Sequence, residues 1–233
     1  MFSRSAEIYD AVYAFKDYAS EAEKVIKIVR DRNRDARTLL DVACGTGAHL
    51  QHLTTEFHCE GIDLDPGLLE VARKRLPDIT FHQGDMRVFD LGKKYDVVTC
   101  LFSSIGYVGD EQGLKRAIGS FARHLNSDGV LVVEPWFSPD RFRVGHFNLM
   151  TGETPDLKIA RANTSRIENG CSVMDFHYLV ASADGVNHFE ECHRLALFTS
   201  DQYRNAFVEN GLDVDLDTEG LMGRGLYVAR SAS

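Results

Sequence analysis

From residue 38 onward, short apolar runs alternate with amphipathic stretches. Residues 38–43, 58–63, 79–82, 95–101 and 129–134 are rich in Val, Ile and Leu and too short for buried helices, so they read as strands. Between them, residues 47–56, 66–76 and 111–125 carry a helical period; Pro66 suits a first turn and Pro77 ends a helix. Five such repeats predict an α/β fold, a mostly parallel sheet with right-handed crossovers and helices on its faces.

After Pro135-Trp136 the rhythm changes. Alternating runs at Leu157 to Ser165, Ser172 to Ala181 and Asn187 to Thr199 are separated by Glu168-Asn169-Gly170 and Ala183-Asp184-Gly185, the signature of an antiparallel meander. A helix at 200–210 and strands near 212–217 and 225–230 then return to the parallel core. Ahead of the sheet, Tyr9 and Tyr13 share one helical face, where they either pack on the core or close over a cofactor. Glu21 to Arg30 is amphipathic, with Val25, Ile26, Ile28 and Val29 inward. The expected organisation is a single domain: a helical arm at 1–30, a cofactor-binding core at 38–136, an inserted meander at 145–199 that roofs the carboxyl edge of the sheet, and a return at 200–231.

Composition narrows the ligand. With 26 Lys+Arg against 35 Asp+Glu the formal charge is -9, which argues against nucleic acid and for a small metabolite. Five cysteines at 44, 59, 100, 171 and 192 show no paired short spacing, so they predict reduced thiols in a cytoplasm, neither a metal site nor a disulfide framework. No uninterrupted apolar stretch reaches the roughly 18 residues of a membrane span.

The chemistry-bearing stretch is Leu39-Leu40-Asp41-Val42-Ala43-Cys44-Gly45-Thr46-Gly47, a strand running into a glycine turn. Gly45 and Gly47 let backbone approach a ligand. Leu50 stands where a dinucleotide fingerprint would need a third glycine, which disfavours a pyrophosphate cofactor. Asp63, at the end of the second strand, is placed to bond ribose hydroxyls, with Leu64 beside it; Asp85, followed by Met86, can accept from an adenine amine. Asp65 is better read as a cap before Pro66. The ligand so described is an adenosine without phosphates.

These residues resemble the class I S-adenosylmethionine-dependent methyltransferases, whose glycine loop Asp41 to Gly47 fits, with Ala43 at a common glycine position. Further stretches narrow the resemblance: His82-Gln83-Gly84-Asp85-Met86-Arg87, Phe102-Ser103-Ser104-Ile105-Gly106-Tyr107, Val133-Glu134-Pro135-Trp136, His193-Arg194 with Leu197-Phe198-Thr199, and Gly223-Arg224-Gly225-Leu226. Together they are similar to the N,N-dimethyltransferases that act on thymidine diphosphate-linked 3-amino-trideoxyhexoses of macrolide antibiotics. The resemblance implies a Rossmann-like sheet, S-adenosyl-L-methionine as cofactor, Tyr107 near the reacting amine, Tyr9 or Tyr13 by the methyl donor, Arg224 on a diphosphate, and a homodimer. Two departures fall on the substrate side: Phe137-Ser138 follows the single Trp136, and Gly220-Leu221-Met222 replaces Gly-Pro-Ser.

Methyl transfer to nitrogen needs an unprotonated lone pair, and a lysine-like amine is about one part in a thousand neutral at pH 7. Candidate proton acceptors are Tyr107, His193 and Glu191, with Tyr13 nearby; Glu191 and His193 share the inward face of their strand with Leu195 and Leu197, where they either line a pocket or form a histidine-carboxylate pair that holds two elements together. Cofactor contacts are expected from Asp41, Ala43, Cys44, Gly45, Gly47, Asp63, Leu64, Asp85, Met86, Leu101 and Tyr9, and substrate contacts from Glu134, Trp136, Glu191 and Arg224. Arg141, Arg143 and Arg161 are weaker alternatives for an anion, and His49 and His177 read as structural and surface residues. The expected function is N-methylation of a small-molecule amine linked to a nucleotide. The alternatives are N- or O-methylation of another metabolite, or cofactor binding without catalysis.

Overall fold

The computed structural model describes residues 5–232, so residues 1–4 of the expected arm lie outside the described part. A 3-10 turn at Ala6–Ile8 leads into α1 (Tyr9–Val12) and α2 (Tyr18–Arg32). Then come β1 (Thr38–Val42), α3 (Leu50–Leu53), β2 (His58–Asp63), α4 (Pro66–Arg75), β3 (Thr80–Gln83), β4 (Tyr95–Cys100), α5 (Glu111–Arg123) and β5 (Leu125–Val133). A separate sheet follows, β6 (Phe147–Glu153), β7 (Lys158–Glu168), β8 (Cys171–Ser182) and β9 (Gly185–Ala196). The chain ends with α6 (Ser200–Glu209), β10 (Leu212–Asp217) and β11 (Leu226–Ser231).

Seven strands form the main sheet in the order β10-β11-β5-β4-β1-β2-β3. β1 pairs in parallel with both β2 and β4, so the direction of chain progression reverses beside it and opens a crevice at its carboxyl end. Apolar side chains fill both faces: Val98, Ile118, Phe121 and Phe207 on one, Val25, Leu39, Leu50 and Leu69 on the other. Strands buried on both sides explain the continuous Val/Leu runs.

Three expectations are corrected. The last two strands do not return in parallel: β10 pairs antiparallel with β11, and β11 antiparallel with β5. The helix expected at 47–56 shrinks to Leu50–Leu53 because Gly47 is left-handed at φ +75, while Thr54 and Thr55 turn their hydroxyls back to the carbonyls of Gln51 and His52. The meander has four strands rather than three. Its extra strand, β6, puts Phe147 and Leu149 on the exposed side and Asn148 and Met150 inward, an inverted alternation that hid it.

The arm is held by this second sheet. Ile8 and Val12 pack with Ile159, Phe176, Tyr178 and Phe189, and an added Cβ on Gly152 would sit 2.4 Å from the carbonyl oxygen of Ala11. No helix among the described residues is long and apolar enough to cross a membrane. Gly152→Val should therefore undock the arm from β6 while leaving the seven-stranded sheet formed. Limited proteolysis is expected to cut between residues 5 and 17 faster than in the parent, with a loss of about 1–3 kcal/mol in urea melts.

Candidate active site

The crevice is shaped first by a left-handed turn. Ala43, Gly45 and Gly47 have φ of 57, 57 and 75, and together they fold the chain beneath β2, where the Cys44 amide donates to the Ile62 carbonyl at 3.1 Å. Ala43 occupies a region that costs a residue with a side chain, so the loop stores strain where backbone faces the crevice. A Cβ on Gly45 would meet nothing within 4 Å, whereas one on Gly47 would press on Leu76 at 3.3 Å; Gly47 therefore serves packing against α4. The Gly45 amide donates to Asp63 Oδ2 and the Asp65 amide to Asp63 Oδ1, each at 2.8 Å. A carboxylate has about four acceptor positions, so both oxygens retain capacity for hydroxyls. Burial raises the Asp63 pKa above the usual carboxylate range. Asp65 caps α4 through the amides of Gly67 and Leu68.

Three connected chambers run along the carboxyl edge. The first, about 450 Å³, is lined by Ala43, Asp63, Leu64, Asp85, Met86 and Tyr107. The middle one, about 340 Å³, is lined by Tyr9, Tyr13, Phe102, Tyr107, Arg161, Phe176, His193 and Arg224. The outer one, about 570 Å³, is bounded by Trp136, Phe137, Arg141, Phe142, Arg143 and His146. Ala43, Asp63 and Tyr107 belong to both of the first two; Trp136, Phe137 and His146 belong to both of the last two. A small recess behind the glycine loop adds Asp41, Cys44 and Leu101.

In the middle chamber, Tyr107 Oη lies 2.6 Å from His193 Nδ1, and burial keeps the tyrosine pKa well above its ordinary value, so the phenol is the donor. His193 Nε2 is 3.5 Å from Glu191 Oε2, and Glu191 in turn accepts from the Ser5 amide at 3.2 Å and hydroxyl at 2.7 Å. Arg161 is 4% exposed. Its Nη1 donates to Tyr13 Oη at 2.9 Å, its guanidinium stands 4.5 Å from the Phe176 ring centre, and Nε has no hydrogen-bond partner. Among the described residues no carboxylate forms an ion pair with it. Arg224 is different: Nη2 donates to Glu134 Oε1 at 2.9 Å, and Glu134 Oε2 accepts from the Phe102 amide at 2.7 Å. Fully buried, Glu134 stands behind the wall and braces it.

Most of the expected contact residues converge on these chambers. Asp41 does so only through the recess; it is 2% exposed and accepts from Thr99 Oγ1 at 2.7 Å. Asp85 lines the first chamber but is clamped by Arg87, whose charge holds its carboxyl below the usual range. His49 bonds buried Glu21 at 2.7 Å, and Lys16 donates to both oxygens of that carboxylate while standing 4.1 Å from the Phe102 ring centre. Sequence reasoning singled out the loop that holds Phe102 without giving that residue a role, and it missed Lys16, Asn148, Met150 and Asn163. Phe102 and Ser103 have positive φ without being glycine, and Asn148 and Met150 come from the unrecognised strand.

Fold and crevice define a class I methyltransferase. A family model described as a methyltransferase domain matches residues 39–129. Over 226 residues the chain is 44% identical to a dTDP-3-amino-3,6-dideoxy-alpha-D-glucopyranose N,N-dimethyltransferase of Streptomyces fradiae, covering 95% of this chain and 89% of that protein. The crystal structure of Streptomyces venezuelae DesVI superposes with a TM-score of 0.93 at 44% identity, over 97% of this chain and 98% of that one. CalS10, an amino pentose methyltransferase from Micromonospora echinaspora solved with S-adenosylmethionine bound, gives 0.87 at 39% identity, over 95% of each. The chain belongs to the family of S-adenosylmethionine-dependent sugar N-methyltransferases. Its methyl donor is S-adenosylmethionine.

Burial pushes the Asp41 carboxyl up to about 6, against an ordinary value of 3.8. A carboxyl whose folded pKa lies above its unfolded one binds protons more tightly when folded, so its contribution to stability falls as pH rises from about 4 to 6. Asp41→Asn can still accept from Thr99, and it should remove that part of the pH dependence. Denaturant melts are expected to show a variant gaining on the order of 2–3 kcal/mol at pH 7 and little at pH 3.5.

Proposed function

We propose that this enzyme methylates the amine of a nucleotide-linked aminosugar, adding two methyl groups in succession. The observation that carries the reading is the order of chambers: Asp63 held by backbone amides with Asp85 beyond it, an aromatic reaction chamber, and an aromatic mouth that carries two arginines. Asp63 takes the ribose hydroxyls and Asp85 the adenine amine, with Leu64 and Met86 flanking the base. The loop at Ala43 to Gly45 and the recess at Asp41, Cys44 and Leu101 take the methionine portion, and Tyr9 covers it. When bound, the donor supplies a methyl carbon activated by a sulfonium. The amine is held in the middle chamber beside Tyr107, and the diphosphate and base lie outward. Trp136, Phe137 and Phe142 offer ring faces there, and Arg141 and Arg143 offer charge. Relatives in Streptomyces named for dTDP-amino sugars support this acceptor class.

Positioning is the main catalytic contribution such a chamber can make. Arg161 adds a second one. A buried cation without a carboxylate partner disfavours an ammonium ion nearby, so the acceptor is held as the neutral amine. After the first transfer, the new ammonium must lose a proton before a second can follow. Tyr107 accepts it through Oη while passing its own proton to His193 Nδ1, and the resulting imidazolium is stabilised by Glu191. Tyr13 fixes Arg161, and Arg224 with Glu134 fixes the Phe102 wall.

Calorimetric titration with S-adenosylhomocysteine, then thymidine diphosphate on the saturated protein, tests the order of chambers. Both should bind. Asp63→Ala should weaken the first by about tenfold or more, and Arg141→Ala with Arg143→Ala should weaken only the second. Failure of thymidine diphosphate to bind the saturated parent protein would rule out an acceptor linked to thymidine diphosphate.

The proton path is tested by product analysis. His193→Gln should raise the proportion of monomethylated product seen by mass spectrometry. Arg161→Met should shift the acid limb of kcat to higher pH, because removing the cation raises the pKa of the bound amine. An unchanged product ratio and an unchanged limb would remove both groups from the chemistry.

A further inference from the structure

The lid sheet has an outer face that methyl transfer does not use. On it, β8 and β9 pair so that His177 stands opposite Glu190 and Leu179 opposite His188. His188 and Glu190, two residues apart on one strand, therefore point to the same side as His177. All three are exposed, and their ligand-capable atoms converge: His177 Nδ1 is 3.4 Å from His188 Nε2 and 3.2 Å from Glu190 Oε1, and His188 Nε2 is 3.9 Å from that oxygen. Bonds of about 2.0–2.1 Å from a tetrahedral zinc ion to nitrogen or oxygen place neighbouring ligand atoms about 3.4 Å apart. The triangle already has close to that size.

We propose that His177, His188 and Glu190 form a surface binding site for one divalent first-row transition ion, zinc or nickel in preference to magnesium or calcium. Two imidazoles and one carboxylate are borderline ligands suited to such ions, while magnesium and calcium take all-oxygen sets. The ladder of β8 and β9 runs unbroken from Cys171 opposite Ala196 to Ser182 opposite Gly185, so the three Cα positions are fixed and binding has only side-chain rotamers to order. With three protein ligands, the remaining coordination position is open to water. The spacing of these residues along the chain carries no metal signature, because the site exists only across the hairpin. An ordinary exposed ion pair between His177 and Glu190 is the competing account of the same geometry.

The full chain, stripped with a chelator and desalted, is titrated with Zn²⁺ and Ni²⁺ by calorimetry and with Co²⁺ by visible absorption. One equivalent should bind, the Co²⁺ complex should show the absorption of a four-coordinate ion, and excess Mg²⁺ should not displace it. His188→Gln and Glu190→Gln should each weaken binding by about tenfold or more, in the range that even outer ligand-supporting residues command. Both positions are exposed, and thermal melts without metal should match the parent. Cys192, exposed on the same strand, is the control: Cys192→Ser should bind like the parent. Binding that survives both the His188 and Glu190 changes, or that is lost with Cys192 alone, would overturn the proposal.

Discussion

The bond between the Gly45 amide and the Asp63 carboxylate organises everything around it. It ties the left-handed turn after β1 to the end of β2, across the point where the strand order reverses. The turn is left-handed at Ala43, Gly45 and Gly47; the two glycines adopt that conformation without the strain that Ala43 bears. Backbone is thereby presented to the crevice, and the same carboxylate that fixes the loop borders the chamber assigned to ribose. A single group thus shapes the site and forms its wall. Burial raises its pKa, and the two backbone amides work against that rise.

The second constraint is the roof. An open α/β crevice admits water, and a sulfonium methyl group is useful only to a nucleophile that water does not outnumber. β6 to β9 supply the roof, and the arm closes the remaining side by packing Ile8 and Val12 against Phe176 and Tyr178. Ser5 carries this link into the chemistry, because its amide and hydroxyl hold Glu191, the carboxylate behind His193. Arm docking therefore orients Glu191, and with it the proposed proton path.

Much of this was legible in the chain. The parallel repeats follow from apolar runs alternating with helical periods, the glycine loop and the acids at 63 and 85 from their places at strand ends, and the inward pair Glu191 and His193 from the period of two in a strand with one buried face. What was not legible has physical causes. β6 turns Asn148 toward the middle chamber and leaves Phe147 and Leu149 exposed, so an alternation rule places it inside out. The turn at Phe102 and Ser103 has positive φ without glycine; it is imposed by contacts distant in sequence, the Glu134 carboxylate on the Phe102 amide and the Pro135 carbonyl on the Ser103 hydroxyl. Lys16 belongs to no motif or periodic run, yet it is buried against Glu21, and burial lowers its pKa. Antiparallel closure by β10 and β11 has no local signature at all.

Arg161 and Arg224 show why residue type alone does not assign a role. Both are guanidiniums bordering one chamber, and the glycines around Arg224 make it the more conspicuous in sequence. Glu134 neutralises Arg224 and fastens it to the wall, so its field in the chamber is small. Arg161 has aromatic faces and a phenol as neighbours, which stabilise a cation without cancelling its charge. In the proposed reaction an amine approaching Arg161 meets a field that favours its neutral form, with His193 on lid strand β9 and Tyr107 on the facing loop. In the proposed reaction such a chamber needs no strong base, because the charge state of the nucleophile is set on entry and the proton generated by transfer passes through Tyr107 to His193, where Glu191 stabilises the imidazolium.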